Sequence, residues 1–153
     1  MITPVRSLEQ LAEVRRLFEA YLASLTFDLD FQGFATELAT LPGAYAPPAG
    51  ELLLAHREGL AVGCVAMRDL GAGVCEMKRL FLDSAARGHG LGKALVEAII
   101  AASRARGYTV MRLDTAASSM GPAVALYKSF GFREIAAYAP NPLPDAMFLE
   151  RAL

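Results

Sequence analysis

Apolar side chains recur along this chain at two periods, and each change of period marks an element. After a short extended segment at residues 3–6, Leu8, Leu11, Val14, Leu17, Phe18 and Tyr21 return at helical spacing as far as Ala23. Ser7 precedes that run and Gln10 follows it by three, the arrangement of a capping box. A shorter helix is predicted over 31–41, with Phe34, Leu38 and Leu41 on one side, closed by Pro42-Gly43 and followed by a turn at Pro47-Pro48. The period then drops to two. Residues 52–56 and 60–68, joined through Arg57-Glu58-Gly59, read as a hairpin, and a glycine-containing turn at 69–73 leads into a third strand over 74–82. Three strands on tight turns predict an antiparallel meander, which a purely parallel nucleotide-binding sheet does not contain.

From Gly90 the helical period returns. Leu91, Ala94, Leu95, Ala98, Ile99 and Ala102 form one face, Arg104 and Arg106 sit in the last turn, and Gly107 stands at the left-handed position beyond it. Residues 110–115 read as a strand. Pro122 opens a further helix that Gly131 stops, and strands at 135–138 and 147–153 flank a proline-rich loop at 140–144. The pattern predicts one α/β domain of α+β type over residues 1–153, with a mixed sheet and about four helices.

Composition narrows the function. Hydrophobic residues make up 54% of the 153 and charged ones 20%, enough to bury a core without metals or disulfides. A net charge of −1 gives no basic footprint, so no nucleic acid is expected as partner. No leader-like apolar segment and no run of about 18 apolar residues occurs, so no membrane association is expected and a cytoplasmic protein is. Cys64 and Cys75 are expected as reduced, buried thiols, and with His56 and His89 isolated no metal is expected.

The densest chemistry lies at Arg87-Gly88-His89-Gly90-Leu91-Gly92-Lys93. A strand ending at Leu82, a loop and a helix start place backbone N–H groups without helical partners at one point, a ready anion site. Glycines at 88, 90 and 92 clear Cβ atoms from that point, and Arg87 and Lys93 add charge. A Walker loop is excluded, because Gly92-Lys93 is followed by Ala94 and Arg87 stands where its first glycine belongs. A dinucleotide fingerprint from Gly88 needs glycine where Lys93 stands, although Asp114 lies at a distance suited to a ribose contact.

These residues resemble the GCN5-related N-acetyltransferase (GNAT) superfamily. Its pyrophosphate motif, [Q/R]-x-x-G-x-[G/A], is matched by Arg87, Gly90 and Gly92, and the segment from Glu76 to Leu82 is similar to its central strand. Downstream, Ala123, Tyr127, Gly131 and Phe132 match a second motif, A-x-x-x-Y-x-x-x-G-F. The resemblance implies a sheet whose central strands splay apart around acetyl-CoA or coenzyme A. The N–H groups of Gly88, His89, Gly90, Leu91 and Gly92 would cradle the pyrophosphate, and the backbone of Leu80, Phe81 and Leu82 would bond the pantetheine arm. One position departs: Met120 stands where many members have asparagine, so that role is not carried over, and Ser118 and Ser119 are the nearest hydroxyls.

Acyl transfer to an amine needs a neutral nucleophile, a stabilised oxyanion and a proton for the departing thiolate. By the resemblance Tyr127 is the acid; a phenol of pKa about 10 can protonate a thiolate of about 8.5 in direct contact. Glu76 is the candidate base. Strand alternation predicts Glu76, Lys78 and Leu80 on one face and Met77, Arg79 and Phe81 on the other. Cys75, opposite Glu76 and without a histidine partner, is expected in the core, and His89 at a variable loop position. Asp28, Asp30 and Glu37 are acidic groups that would attract an amine, and the loop 140–144 would shape one wall of the acceptor pocket. The reading is direct transfer from acetyl-CoA to a primary amine of a small molecule or peptide, with a homodimer left open. A non-catalytic acyl-CoA-binding module and a nicotinamide-dinucleotide oxidoreductase are the alternatives.

Overall fold

The computed structural model describes residues 1–26, 28–29, 33–118 and 121–153. Among them seven strands form one mixed sheet, in the order β1-β2-β3-β4-β5-β7-β6. Strands β1 (Ile2–Pro4), β2 (Glu51–Arg57), β3 (Leu60–Gly71) and β4 (Val74–Leu82) make the antiparallel meander. Strand β5 (Val110–Ala116) runs parallel to β4, and β7 (Ala146–Ala152) pairs antiparallel with both β5 and β6 (Arg133–Ile135). This is a mixed sheet with four α-helices among the described residues, not a doubly wound parallel one.

Helix α1 (Leu8–Ser24) starts at the capping box: the Gln10 N–H donates to Ser7 Oγ at 3.1 Å, and the Ser7 N–H to Gln10 Oε1 at 3.0 Å. Val14, Leu17 and Phe18 bury its inner face, whereas Leu8, which the periodicity put on the same stripe, is 85% exposed at the first helical position. The shorter helix α2 (Phe34–Ala39) replaces the helix predicted over 31–41; residues 31 and 32 lie outside the described residues. Helices α1 and α2 cover one face of the sheet with Leu52, Leu54, Cys64 and Ala66.

Helix α3 (Leu91–Ala105) and α4 (Gly121–Ser129) cover the other face, with Met67, Met77, Leu113 and Leu149. Leu95, Val96, Ile99 and Ile100 of α3 are all buried, so the helix is covered over a wider arc than the single predicted face. Each such side chain contributes about 2 kcal/mol of burial. The last turns also differ from the sequence pattern. Chain reversal at Ala72-Gly73 (φ +55° and +79°) lets β3 run on to Gly71, and the strand predicted at 135–138 forms at 133–135. There Ile135 pairs with Phe148, while Tyr138 leaves the sheet and packs its ring 5.2 Å from Phe148. Both cysteines are buried free thiols: Cys64 faces α1, and Cys75 faces α3.

Candidate active site

Strands β4 and β5 pair only at Val74, Cys75 and Glu76, opposite Val110, Met111 and Arg112. Beyond that point they part, and a cavity of about 780 Å³ opens between them. Leu82, Gly92, Leu126 and Tyr127 line it on the α3 and α4 side. Tyr21, Leu25 and Leu29 line it on the α1 side, with Asn141 and Leu143 of the proline-rich loop forming a wall there. The edge of β4 along Leu80, Phe81 and Leu82 borders the cavity without a β5 partner, so its backbone groups are placed to bond an extended ligand as an added strand.

That edge is shaped by a bulge. Phe81 pairs with Cys64 and Lys78 with Ala66, so Arg79 and Leu80 together oppose the single residue Val65. Arg79 takes a left-handed φ of +59°. The extra residue overturns the predicted alternation. Leu80 packs with Met77 on the α3 side, while Arg79 and Phe81 join Glu76 and Lys78 on the α1 side. Arg79 is held by Glu37 of α2 through Nε–Oε2 at 2.8 Å and Nη2–Oε1 at 2.9 Å, with its guanidinium 4.8 Å from the Phe34 ring centroid. The Cys64 thiol donates to the Arg79 carbonyl at 3.4 Å. Glu37 is therefore engaged by Arg79, Asp28 is exposed away from the cavity lining, and Asp30 lies outside the described residues.

At the other end of the cavity the chain passes a short 3₁₀ turn (Ser84–Ala86) and enters α3 at Gly90. Gly90 has φ +75° and no side chain caps the helix. The first intrahelical bond runs from the Ala94 N–H to the Gly90 carbonyl at 3.0 Å, leaving the N–H groups of Leu91, Gly92 and Lys93 without helical partners. A Cβ on Gly88 or Gly90 would meet no atom within 4 Å, so their positive φ requires glycine and the space over them is open. Arg87 lines the cavity and donates from Nε to the Leu82 carbonyl at 3.3 Å; His89 and Lys93 are exposed beside it. The arrangement suits an anion followed by an extended arm running along β4. Ser118 meets the Asp145 carboxylate through both its N–H and its hydroxyl, whereas Ser119 and Met120 lie outside the described residues.

Tyr127 lies on α4 with its ring 6.0 Å from Phe132, 8% exposed and on the cavity wall. Burial pushes its phenol well above the ordinary value, reinforced by Tyr21 and Asp114. Glu76 is 2% exposed and does not line the cavity. Its carboxylate accepts from Arg68 Nε at 2.7 Å and from the Tyr138 hydroxyl at 2.6 Å, and lies 3.9 Å from Lys78 Nζ. Lys78 and Asp114 do line it, each two residues beyond the last β4–β5 pair. Asp114 Oδ2 accepts from Asn141 Nδ2 at 3.1 Å. Burial lowers the Lys78 ammonium, against the raising pull of Glu76. Sequence reasoning noted Asp114 only for a distance suited to a ribose contact and missed it as a cavity residue; its alternation with the buried Leu113 is a signal that could have found it.

The acetyltransferase (GNAT) domain model matches residues 48–134, from β2 to β6. The chain belongs to the GNAT family of acetyltransferases. An uncharacterised N-acetyltransferase of Schizosaccharomyces pombe is 42% identical over 97% of this chain and 91% of its own length. A Klebsiella pneumoniae crystal structure assigned as an acyl-CoA N-acyltransferase is 32% identical and covers all of this chain and 97% of that one, with a TM-score of 0.77. A Salmonella typhimurium structure determined with its cofactor acetyl-CoA shares the fold at a TM-score of 0.67 and 20% identity, covering 99% of this chain and 92% of its own. As a GNAT acetyltransferase the molecule passes an acetyl group to an amine-bearing acceptor, and the cavity between β4 and β5 is its candidate site.

Proposed function

We propose that this acetyltransferase moves the acetyl group of acetyl-CoA directly onto a primary amine of a small molecule or peptide. The observation that carries the reading is the continuity of one cavity, from the bare N-terminus of α3, along the unpaired edge of β4, to Tyr127. The N–H groups at Leu91, Gly92 and Lys93 take the pyrophosphate, with Arg87 adding charge. The backbone of Leu80, Phe81 and Leu82 aligns the pantetheine and sets the thioester between the strands. Lys78, Asp114 and Asn141 then face the acceptor amine.

Asp114, the carboxylate on the cavity wall, takes over the role that sequence reasoning gave to Glu76. It accepts a proton from the amine, whose nitrogen then attacks the thioester carbonyl. The carbon–sulfur bond breaks, the Tyr127 hydroxyl gives its proton to the sulfur, and the second proton that the nitrogen sheds as the amide forms returns to the tyrosine through solvent. Glu76, fixed by Arg68 and Tyr138, sets the field around Lys78. Release of free thiol from acetyl-CoA should depend on added amine. Thiol release that is the same with and without amine contradicts transfer, and acetyl-CoA binding with no turnover over a broad amine panel favours the non-catalytic module.

A further inference from the structure

Resting on that reading, the acceptor half of the cavity selects among amines by what its wall already satisfies. Three charged groups stand on the strand wall, Lys78, Arg79 and Asp114, and each has a partner within the molecule. Lys78 pairs with Glu76 at 3.9 Å, Arg79 makes two bonds to Glu37, and Asp114 accepts from Asn141 at 3.1 Å. Neutral polar groups there are engaged too. Asn141 Oδ1 accepts from the Leu143 N–H at 3.1 Å, and Ser24 Oγ donates to the Tyr21 carbonyl at 2.6 Å. A second charge on the acceptor, of either sign, would have to leave water or break one of these pairs. Both routes are costly beside side chains as buried as Lys78 and Arg79, which are 7% and 3% exposed. The reacting nitrogen is the exception, because it gives a proton to Asp114 and attacks as a neutral amine.

What the wall offers instead is apolar surface. Tyr21, Leu25 and Leu29 from the α1 side, Phe81 from β4 and Leu143 from the loop line this half together. The Tyr21 and Phe81 rings lie 5.9 Å apart, tilted by 60°, and so form one aromatic surface. Leu25 and Leu143 are half-buried, so part of each faces the opening. We propose that the acceptor is a primary monoamine on an uncharged apolar body, an alkylamine or arylalkylamine, with its nitrogen toward Asp114 and its body against Tyr21, Leu25, Phe81 and Leu143. Each methylene moved from water onto this surface favours binding by roughly fourfold. A polyamine brings a second ammonium, an amino acid a carboxylate and a peptide a chain of amides. Each of these must be desolvated against a wall whose three charges are already engaged.

The test compares ethylamine, isopentylamine, 1,4-diaminobutane and leucine as acceptors at saturating acetyl-CoA, reading free thiol. Isopentylamine should exceed ethylamine in kcat/KM by roughly tenfold or more, the gain from its added carbons. It should exceed the diamine and leucine by at least about tenfold as well, since each adds a charge to a body of similar size. Leu25→Ser and Leu143→Ser should each lower the isopentylamine-to-ethylamine ratio by roughly fivefold, mainly by raising the KM for isopentylamine. Stabilisation by acetyl-CoA in both variants shows that they are folded. The diamine or leucine serving as well as isopentylamine overturns the proposal, as does a ratio near one in the native enzyme or a high ratio that survives both substitutions. If only a charged acceptor is acetylated, the proposal falls and the transfer reading stands. If no amine is acetylated, or acetyl-CoA does not stabilise the protein, the functional reading beneath it falls too.

Discussion

Burial raises the Tyr127 phenol, and it raises the thiols of this protein as well, Cys64 to about 12 and Cys75 to about 11. A thiolate formed beside Tyr127 meets the same dry surroundings, so donor and acceptor of the proton shift in the same direction. Tyr127→Phe should lower kcat by roughly 100-fold, the scale of a lost general acid, while acetyl-CoA affinity stays unchanged. Because the phenol is shifted upward, kcat should not fall through an ionisation near pH 10, where an ordinary tyrosine loses its proton. A decline at that pH in the native enzyme, missing from Tyr127→Phe, would count against the assignment. Tyr127 was legible because two motifs fix its distance from the glycine loop. That Asp114 lines the cavity and Glu76 does not was not legible, since Arg68, Tyr138 and Asn141 reach them from distant parts of the chain.

Elements whose signals are local were readable: the capping box at Ser7 and Gln10, the meander turns, and the glycine entry to α3. The β4 bulge was hidden, because a period-two pattern does not announce one inserted residue, and the slip moved Arg79, Leu80 and Phe81 to faces opposite those predicted. At Gly90 a side chain would have to adopt φ +75° and stand over the exposed N–H groups. Gly90→Val should therefore cost about 1–2 kcal/mol in stability and weaken acetyl-CoA binding at least tenfold, as melting and calorimetry would show. Elsewhere, Glu51 of β2 joins Arg6 at 2.8 Å and Arg106 at 2.5 Å, tying the entry of α1 and the end of α3 to the sheet. Burial alone would raise this carboxyl, but Arg6, the Leu52 N–H and Arg106 outweigh it and hold it below the ordinary value. Its contribution is present above about pH 4.3, the unfolded value, and is lost as pH falls through the lower folded one. Glu51→Gln should cost about 2–3 kcal/mol at pH 7, less than a fully buried pair because Arg6 is half exposed, and should flatten the acid limb of the stability profile. An unchanged acid limb would assign that limb to other groups.

Across the described residues, one sheet is covered on both faces and opens along the seam where β4 and β5 separate past Glu76. The layer architecture was legible from the order of periods, and the seam only through the family resemblance, because no local pattern records where parallel strands stop pairing. Any ligand of the seam touches both halves of the sheet, so its binding energy opposes unfolding of the whole. The most direct test is the melting temperature with acetyl-CoA and, separately, with NAD. At about 100 times the dissociation constant, acetyl-CoA should add about 2.7 kcal/mol, a rise of roughly 5–10 °C for a chain of this size, and NAD should add nothing. A rise with NAD and none with acetyl-CoA would contradict the account at its centre.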